Sequence, residues 1–176
     1  TLHKHIDSAL QEGGKYFGEI LKKHPLPFLS ACIRESQRLQ PIAPLLQRRA
    51  QQDIFIQKHL LGSDKDVVVP KGRQVLIPCF LLHRDENVYP NPELFQPERW
   101  IDNVGHLKPV KPGYFFAFGA GPKMCVGVQL AEKELKMTVL GILSKFRVDS
   151  AGDAVTIVDA FISGPKTVRV KFTLRG

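Results

Sequence analysis

The 176 residues carry a formal charge of +8, and 43% of them are hydrophobic. That is enough apolar material for one substantial core, and it excludes a disordered chain. The charge suits an acidic protein or a membrane surface, while the lack of an aromatic-rich basic stripe argues against nucleic acid.

Three cysteines, Cys32, Cys79 and Cys125, lie far apart with no C-x-x-C pair. That argues against a disulfide framework or a cysteine-rich zinc site, and it favours a reducing compartment. No stretch reaches the ~20 apolar residues of a transmembrane helix. The opening Thr1-Leu2-His3-Lys4 lacks Met and any signal-peptide pattern. It reads as the middle of a longer chain, with any anchor or targeting segment outside it.

In chain order, residues 3–23 have helical spacing, with Ile6, Leu10, Phe17, Ile20 and Leu21 apolar and Gly13-Gly14 splitting the run in two. A second helix is expected over residues 28–40, ended by Pro41 and Pro44. Residues 53–56, 66–69 and 74–77 read as short strands, with a tight turn at Pro70-Lys71-Gly72. Residues 83–100 hold Pro90, Pro92 and Pro97 together with Tyr89, Phe95 and Trp100. That mixture predicts an irregular but packed meander. Residues 101–117 are a loop, and 118–127 are glycine-rich. A third helix is expected over 128–146, apolar on several faces and so largely buried. Two final strands are expected around a turn at Ser163-Gly164-Pro165.

Cys125 lies just before the third predicted helix, at the positive end of its dipole. Such a position favours a thiolate, the form that ligates metals. The glycines before it remove Cβ atoms that would block a flat macrocycle. Phe118 is placed to close one side of the sulfur pocket, and Lys123 to pair with an anionic group. Taken alone, a cysteine here reads more readily as a structural thiol. Glu35 and Arg38 stand at i, i+3 on a helix with apolar flanks, and Arg99 is the candidate to complete a buried cluster around Glu35.

Three motifs occur in order: Glu35-x-x-Arg38, then Pro92-x-x-Phe95-x-Pro97-x-Arg99-Trp100, then Phe118-x-x-Gly121-x-x-x-Cys125-x-Gly127. Together they resemble the helix-K, meander and cysteine-loop motifs of the cytochrome P450 superfamily. Pro70-Lys71-Gly72 and His83-Arg84-Asp85 fit as well, so the likeness covers nearly the whole chain. It implies an α+β, mainly helical fold, with residues 1–176 forming the C-terminal portion of one larger domain. It implies haem b as cofactor and Cys125 as the axial thiolate. Arg48 matches an arginine that pairs with a haem propionate. Phe118, Gly119, Lys123 and Gly127 belong to the same cofactor loop, Lys123 standing where arginine or histidine is usual. Residues 43–47 and 160–164 match segments that line the substrate pocket. Their Ala43, Leu45, Leu46, Phe161 and Ile162 point to an apolar substrate.

The implied activity is insertion of one oxygen atom of O2 into such a substrate, with electrons from a reductase or ferredoxin-type partner. The style of the meander points to the cytoplasmic side of the endoplasmic reticulum membrane for the full-length protein. The family's acid–alcohol helix does not occur in these residues, so no catalytic proton donor is assigned and the chain by itself is expected to be inactive. A truncated or split-gene remnant and a haem-thiolate isomerase or dehydratase are the alternatives. Cys32 and Cys79 read as core thiols and His83 as a hydrogen-bonded structural histidine. Lys133 and Lys136 read either as a docking patch for an acidic redox partner, diluted by Glu132 and Glu134, or as solvated lysines.

Overall fold

A computed structural model describes residues 2–12, 16–152, 155–159 and 162–175. Two short helices, α1 (Leu2–Gln11) and α2 (Phe17–Lys23), precede α3 (Pro27–Leu39). Gly13-Gly14, expected to separate the first two, lie outside the described residues. Pro27 opens α3, where its missing N–H costs nothing. Gln40 ends it, and the fully buried Pro41 follows.

The chain then forms β1 (Leu45–Arg49), β2 (Ile54–Ile56), α4 (Lys58–Leu61), β3 (Val67–Val69), β4 (Gln74–Pro78) and α5 (Cys79–Leu82). β2 pairs with β3, and β4 returns to pair with β1, both antiparallel. The turn at residues 70–73 closes with Arg73 N–H donating to Pro70 O at 3.0 Å. Gly72 supplies the positive φ of 82° that this turn needs. It redirects the chain from one sheet to the other.

Three features depart from expectation. β1 and the single-turn helices α4 and α5 occur where none was foreseen. Leu45-Leu46-Gln47-Arg48-Arg49 lacks the β-branched alternation of a strand and becomes one by pairing with β4. The tail has four strand segments, not two: β5 (Phe146–Ser150) pairs with β8 (Val170–Leu174), and β6 (Ile157–Asp159) with β7 (Ser163–Pro165). Ser163-Gly164-Pro165 is therefore a strand held by pairing, not a turn.

The third departure is the last helix, α6 (Val128–Lys145). Its extent matches expectation, but its burial does not. Leu140 is fully buried, whereas Leu130, Leu135, Met137 and Ile142 are exposed. A helix apolar on several faces is buried only if neighbours cover all of them. Here α1, α2 and α3 meet one stripe, where Ile6, Ala9, Ile20, Leu26, Leu29 and Leu140 form the main core. A second core joins α3 to the meander through Ala31, Tyr89 and Trp100, with Phe115 packed against them. Mixed helix and short antiparallel strand is the expected α+β class.

Candidate functional site

The polar cluster on α3 is built around Glu35, fully buried with Arg38. Arg38 donates from Nε to Oε2 and from Nη2 to Oε1, both at 2.9 Å. Arg99, the expected third member, donates from Nε to Oε1 at 3.0 Å. Two donors were not foreseen: Trp100 Nε1–H to Oε2 at 2.8 Å and the Gln96 N–H to Oε1 at 3.0 Å. Burial opposes ionisation of Glu35, but these donors and the Arg38 charge outweigh it and hold the carboxyl below its usual range. Of the five hydrogen bonds to this carboxylate, the three from Gln96, Arg99 and Trp100 fasten the 3-10 turn Pro97–Trp100 and the residue before it to α3. Arg99 further donates to the Pro90 and Asn91 carbonyls, which fixes the meander's fold.

His83 carries this rigidity onward. It is fully buried. Its Nε2 accepts the Phe116 N–H at 2.8 Å, so the proton sits on Nδ1, which donates to Arg38 O at 3.2 Å. Arg38 Nη1 donates in return to His83 O at 2.8 Å. The ring stacks on Phe115 with centroids 5.2 Å apart. It is the structural, hydrogen-bonded histidine that was expected, and it also joins the ion cluster to the cysteine loop. Burial, with the Arg38 and Arg84 charges, lowers its pKa from 6.5 to about 4. The folded chain therefore binds fewer protons than the unfolded chain between those values. Stability should be full above pH 6.5 and fall by roughly 3 kcal/mol as the pH drops from 6.5 toward 4. Urea denaturation across that range checks this; a flat midpoint would mean that His83 is not held neutral.

The loop after Phe116 is closed by its own backbone. Phe116 O accepts from Gly119 N–H at 2.9 Å, and Phe118 O accepts from Cys125 N–H at 2.8 Å. Between them lies the 3-10 turn Gly121–Lys123. Gly119 has φ +75°, and a Cβ there would meet Lys123 O at 3.6 Å and Met124 Cα at 3.8 Å. At Gly127, which caps α6, a Cβ would sit 3.9 Å from Cys125 Sγ. Cys125 is exposed, between the exposed Met124 and Val126. A thiol facing outward from the chain's own packing, with apolar neighbours and glycines beside it, leaves room for a flat apolar group.

Leu46 of β1 reaches this loop, its Cδ1 lying 4.0 Å from the Cβ position of Gly119. Strand alternation puts Arg48 on the same face as Leu46. The structure thus gathers Phe118, Gly119, Lys123, Cys125 and Gly127 in one loop and places the Arg48 face of β1 beside it. Cys79 is fully buried and Cys32 half-buried; burial raises both thiols, Cys32 to about 11 with help from Glu98, as befits unreactive core residues. A cavity of about 400 Å³ lined by Tyr89, Arg99, Trp100, Lys108 and Tyr114 includes no residue of the cysteine loop. Of the pocket segment at 160–164, residues 160 and 161 lie outside the described residues.

The sequence model of the family described as "Cytochrome P450" matches residues 1–172. The chain belongs to the cytochrome P450 family. It is 34% identical over 149 residues to "Probable cytochrome P450 28a5" of Drosophila melanogaster, covering 84% of this chain and 28% of that protein. It is 35% identical to "Cytochrome P450 3A29" of Sus scrofa, covering 69% of this chain and 22% of the relative. It is 33% identical to "Lithocholate 6-beta-hydroxylase" of Mesocricetus auratus, covering 85% of this chain and 27% of the relative. The chain spans about a quarter of the length of these curated relatives.

The cytochrome P450 family is one of haem-thiolate oxidoreductases. This chain's residues suit that group. Among the described residues no three His, Cys, Asp or Glu side chains converge as metal ligands. Among the same residues, no helix is long and apolar enough to cross a membrane.

Proposed function

We propose that this chain is the C-terminal portion of a haem monooxygenase domain and supplies the thiolate-bearing side of its iron site. Cys125 ligates the iron. Arg48 and Lys123 hold the propionates, Lys123 as a point charge without arginine's planar fork. Phe118 shields the sulfur, and Gly119 and Gly127 keep the approach to it clear. The observation that carries this reading is the exposed Cys125 thiol in a loop tied through Phe116 and His83 to the Arg38–Glu35–Arg99 cluster.

When bound, a thiolate-ligated haem supplies activation of O2, the sulfur's electron donation favouring O–O cleavage. The chain's own residues position, charge-pair and exclude water. α6 and the loop hold the sulfur, and β1 sets Arg48. Leu130, Leu135, Met137 and Ile142, exposed on α6, support further polypeptide packed against it. The substrate is a small apolar organic molecule, met by residues 43–47 and 160–164. Electrons come from a reductase or ferredoxin-type protein, with Lys133 and Lys136 of α6 as its docking charges. The full-length protein sits at the cytoplasmic side of the endoplasmic reticulum membrane.

The balanced reaction takes substrate R–H, O2, two electrons and two protons to R–OH and water. The test uses the haem-loaded full-length protein, a reductase, lauric acid as probe and 18O2. The expected product carries one 18O atom and forms only with the electron donor present. Conversion of an organic hydroperoxide without any electron donor, and no labelled product from lauric acid, would overturn the monooxygenase reading in favour of isomerase or dehydratase chemistry.

A further inference from the structure

One buried polar contact takes no part in holding Cys125. Ser163, at the start of β7, is buried. Its N–H donates to Ile42 O at 2.8 Å, and its hydroxyl accepts from Gln40 Nε2 at 2.5 Å. Gln40 is the residue that ends α3, two positions beyond the fully buried Arg38, and Pro41 after it is fully buried too. The hairpin is thus tied to the C-terminal end of α3, beside fully buried residues. Asp159 and Ser163 are its last described cross-strand pair, and the Ser163 bond to Ile42 O sets the neighbouring Ile162 close to Ile42. The tie leaves apolar side chains open: Ile42 and Ile162 are each 62% exposed, and Leu45 is exposed as well. β1 then carries the same stretch to Leu46, beside the cysteine loop.

We propose that Gln40 and Ser163 form a latch that fixes residues 42–45 and Ile162 as one apolar wall, and that Gln40 is thereby a positioning residue deciding how an apolar substrate is presented. The substrate half of this inference rests on the haem reading above; the latch itself does not. Without the side-chain bond, the backbone bond from Ser163 to Ile42 still holds the hairpin, but its end gains freedom. A change confined to the shape of the wall should alter discrimination between ligands and leave the sulfur untouched.

The test compares Gln40→Leu and Ser163→Ala with Ser163→Thr, which keeps the hydroxyl, all in the haem-loaded full-length protein. Hydrogen–deuterium exchange is read on peptides covering residues 155–165. It should speed up about tenfold in Gln40→Leu, the equivalent of one lost hydrogen bond, at least as much in Ser163→Ala, and stay near the wild-type rate in Ser163→Thr. Imidazole and 4-phenylimidazole are the ligand probes, followed by the Soret band. The preference for the phenyl compound should fall several-fold in the two disruptive variants and recover in Ser163→Thr. The carbon monoxide spectrum should not change in any of them. Unchanged exchange in both disruptive variants would overturn the latch. Faster exchange with an unchanged ligand preference would overturn the positioning role. Should the wild type lack a thiolate-type spectrum, the haem reading fails, while the exchange measurement still decides the latch.

Discussion

Replacing Glu35 with alanine is expected to unfold the chain or bring it close to unfolding. The substitution leaves Arg38 charged and fully buried with no counter-charge at its Nε. It also strands the Trp100 indole N–H and the Gln96 N–H, both directed at the missing carboxylate. Removing one partner of a buried pair costs about 3–5 kcal/mol. Each stranded donor adds about 1–3 kcal/mol. A domain has only about 5–15 kcal/mol in total. Arg99→Lys should cost less, because an ammonium can still meet Oε1 although the contacts to Pro90 and Asn91 are weakened. Urea denaturation followed by circular dichroism measures both. A Glu35→Ala chain within 1 kcal/mol of wild type would show that the cluster does not hold the meander on α3. Acid should act in the same direction. The Glu35 pKa is lowered in the folded chain, so its contribution is present above the normal carboxylate range and is lost as the pH falls through the folded value. That loss begins where the His83 loss is nearly complete.

Cys125→Ser is expected to separate folding from function. The side chain is exposed, and the backbone bond from residue 125 to Phe118 O does not depend on the thiol. Serine adds no volume and needs no new partner, so the melting temperature of the haem-free protein should be unchanged within measurement. A serine hydroxyl, with a far higher pKa than a thiol, is a poor anionic ligand at neutral pH. Oxygen insertion should therefore fall by more than a hundredfold, on the scale of losing a group used directly in the chemistry. A variant with comparable turnover would remove Cys125 from the site. A variant that melts much earlier would show that the thiol has a packing role which its exposure gives no hint of.

Much of the scaffold was legible because it rests on local rules. Pro27 and Pro41 bracket α3, the i, i+3 spacing of Glu35 and Arg38 foretold their pair, and Arg99 was the candidate to share the carboxylate. The rest depended on distant partners. β1 is a strand because β4 lies beside it, and Leu45-Leu46-Gln47-Arg48-Arg49 has little strand character of its own. Trp100 and Gln96 complete the Glu35 shell through tertiary placement that one sequence does not display. An unpaired indole N–H in an apolar meander was the available signal, since a buried tryptophan needs an acceptor. His83 was legible as structural but not as the link to Phe116, which lies 33 positions away. For α6 the pattern was read correctly and its consequence was not: apolar residues on several faces state what a helix can bury, and the described neighbours cover one stripe.

The most direct measurement is the absorption spectrum of the reduced, haem-loaded full-length protein under carbon monoxide, with Cys125→Ser beside it. If Cys125 donates a thiolate to the iron, the wild type will show the strongly red-shifted Soret band of a thiolate–carbonyl complex and the variant will not. Bound haem with only the unshifted band in the wild type, or the same red-shifted band in both, would contradict ligation by Cys125.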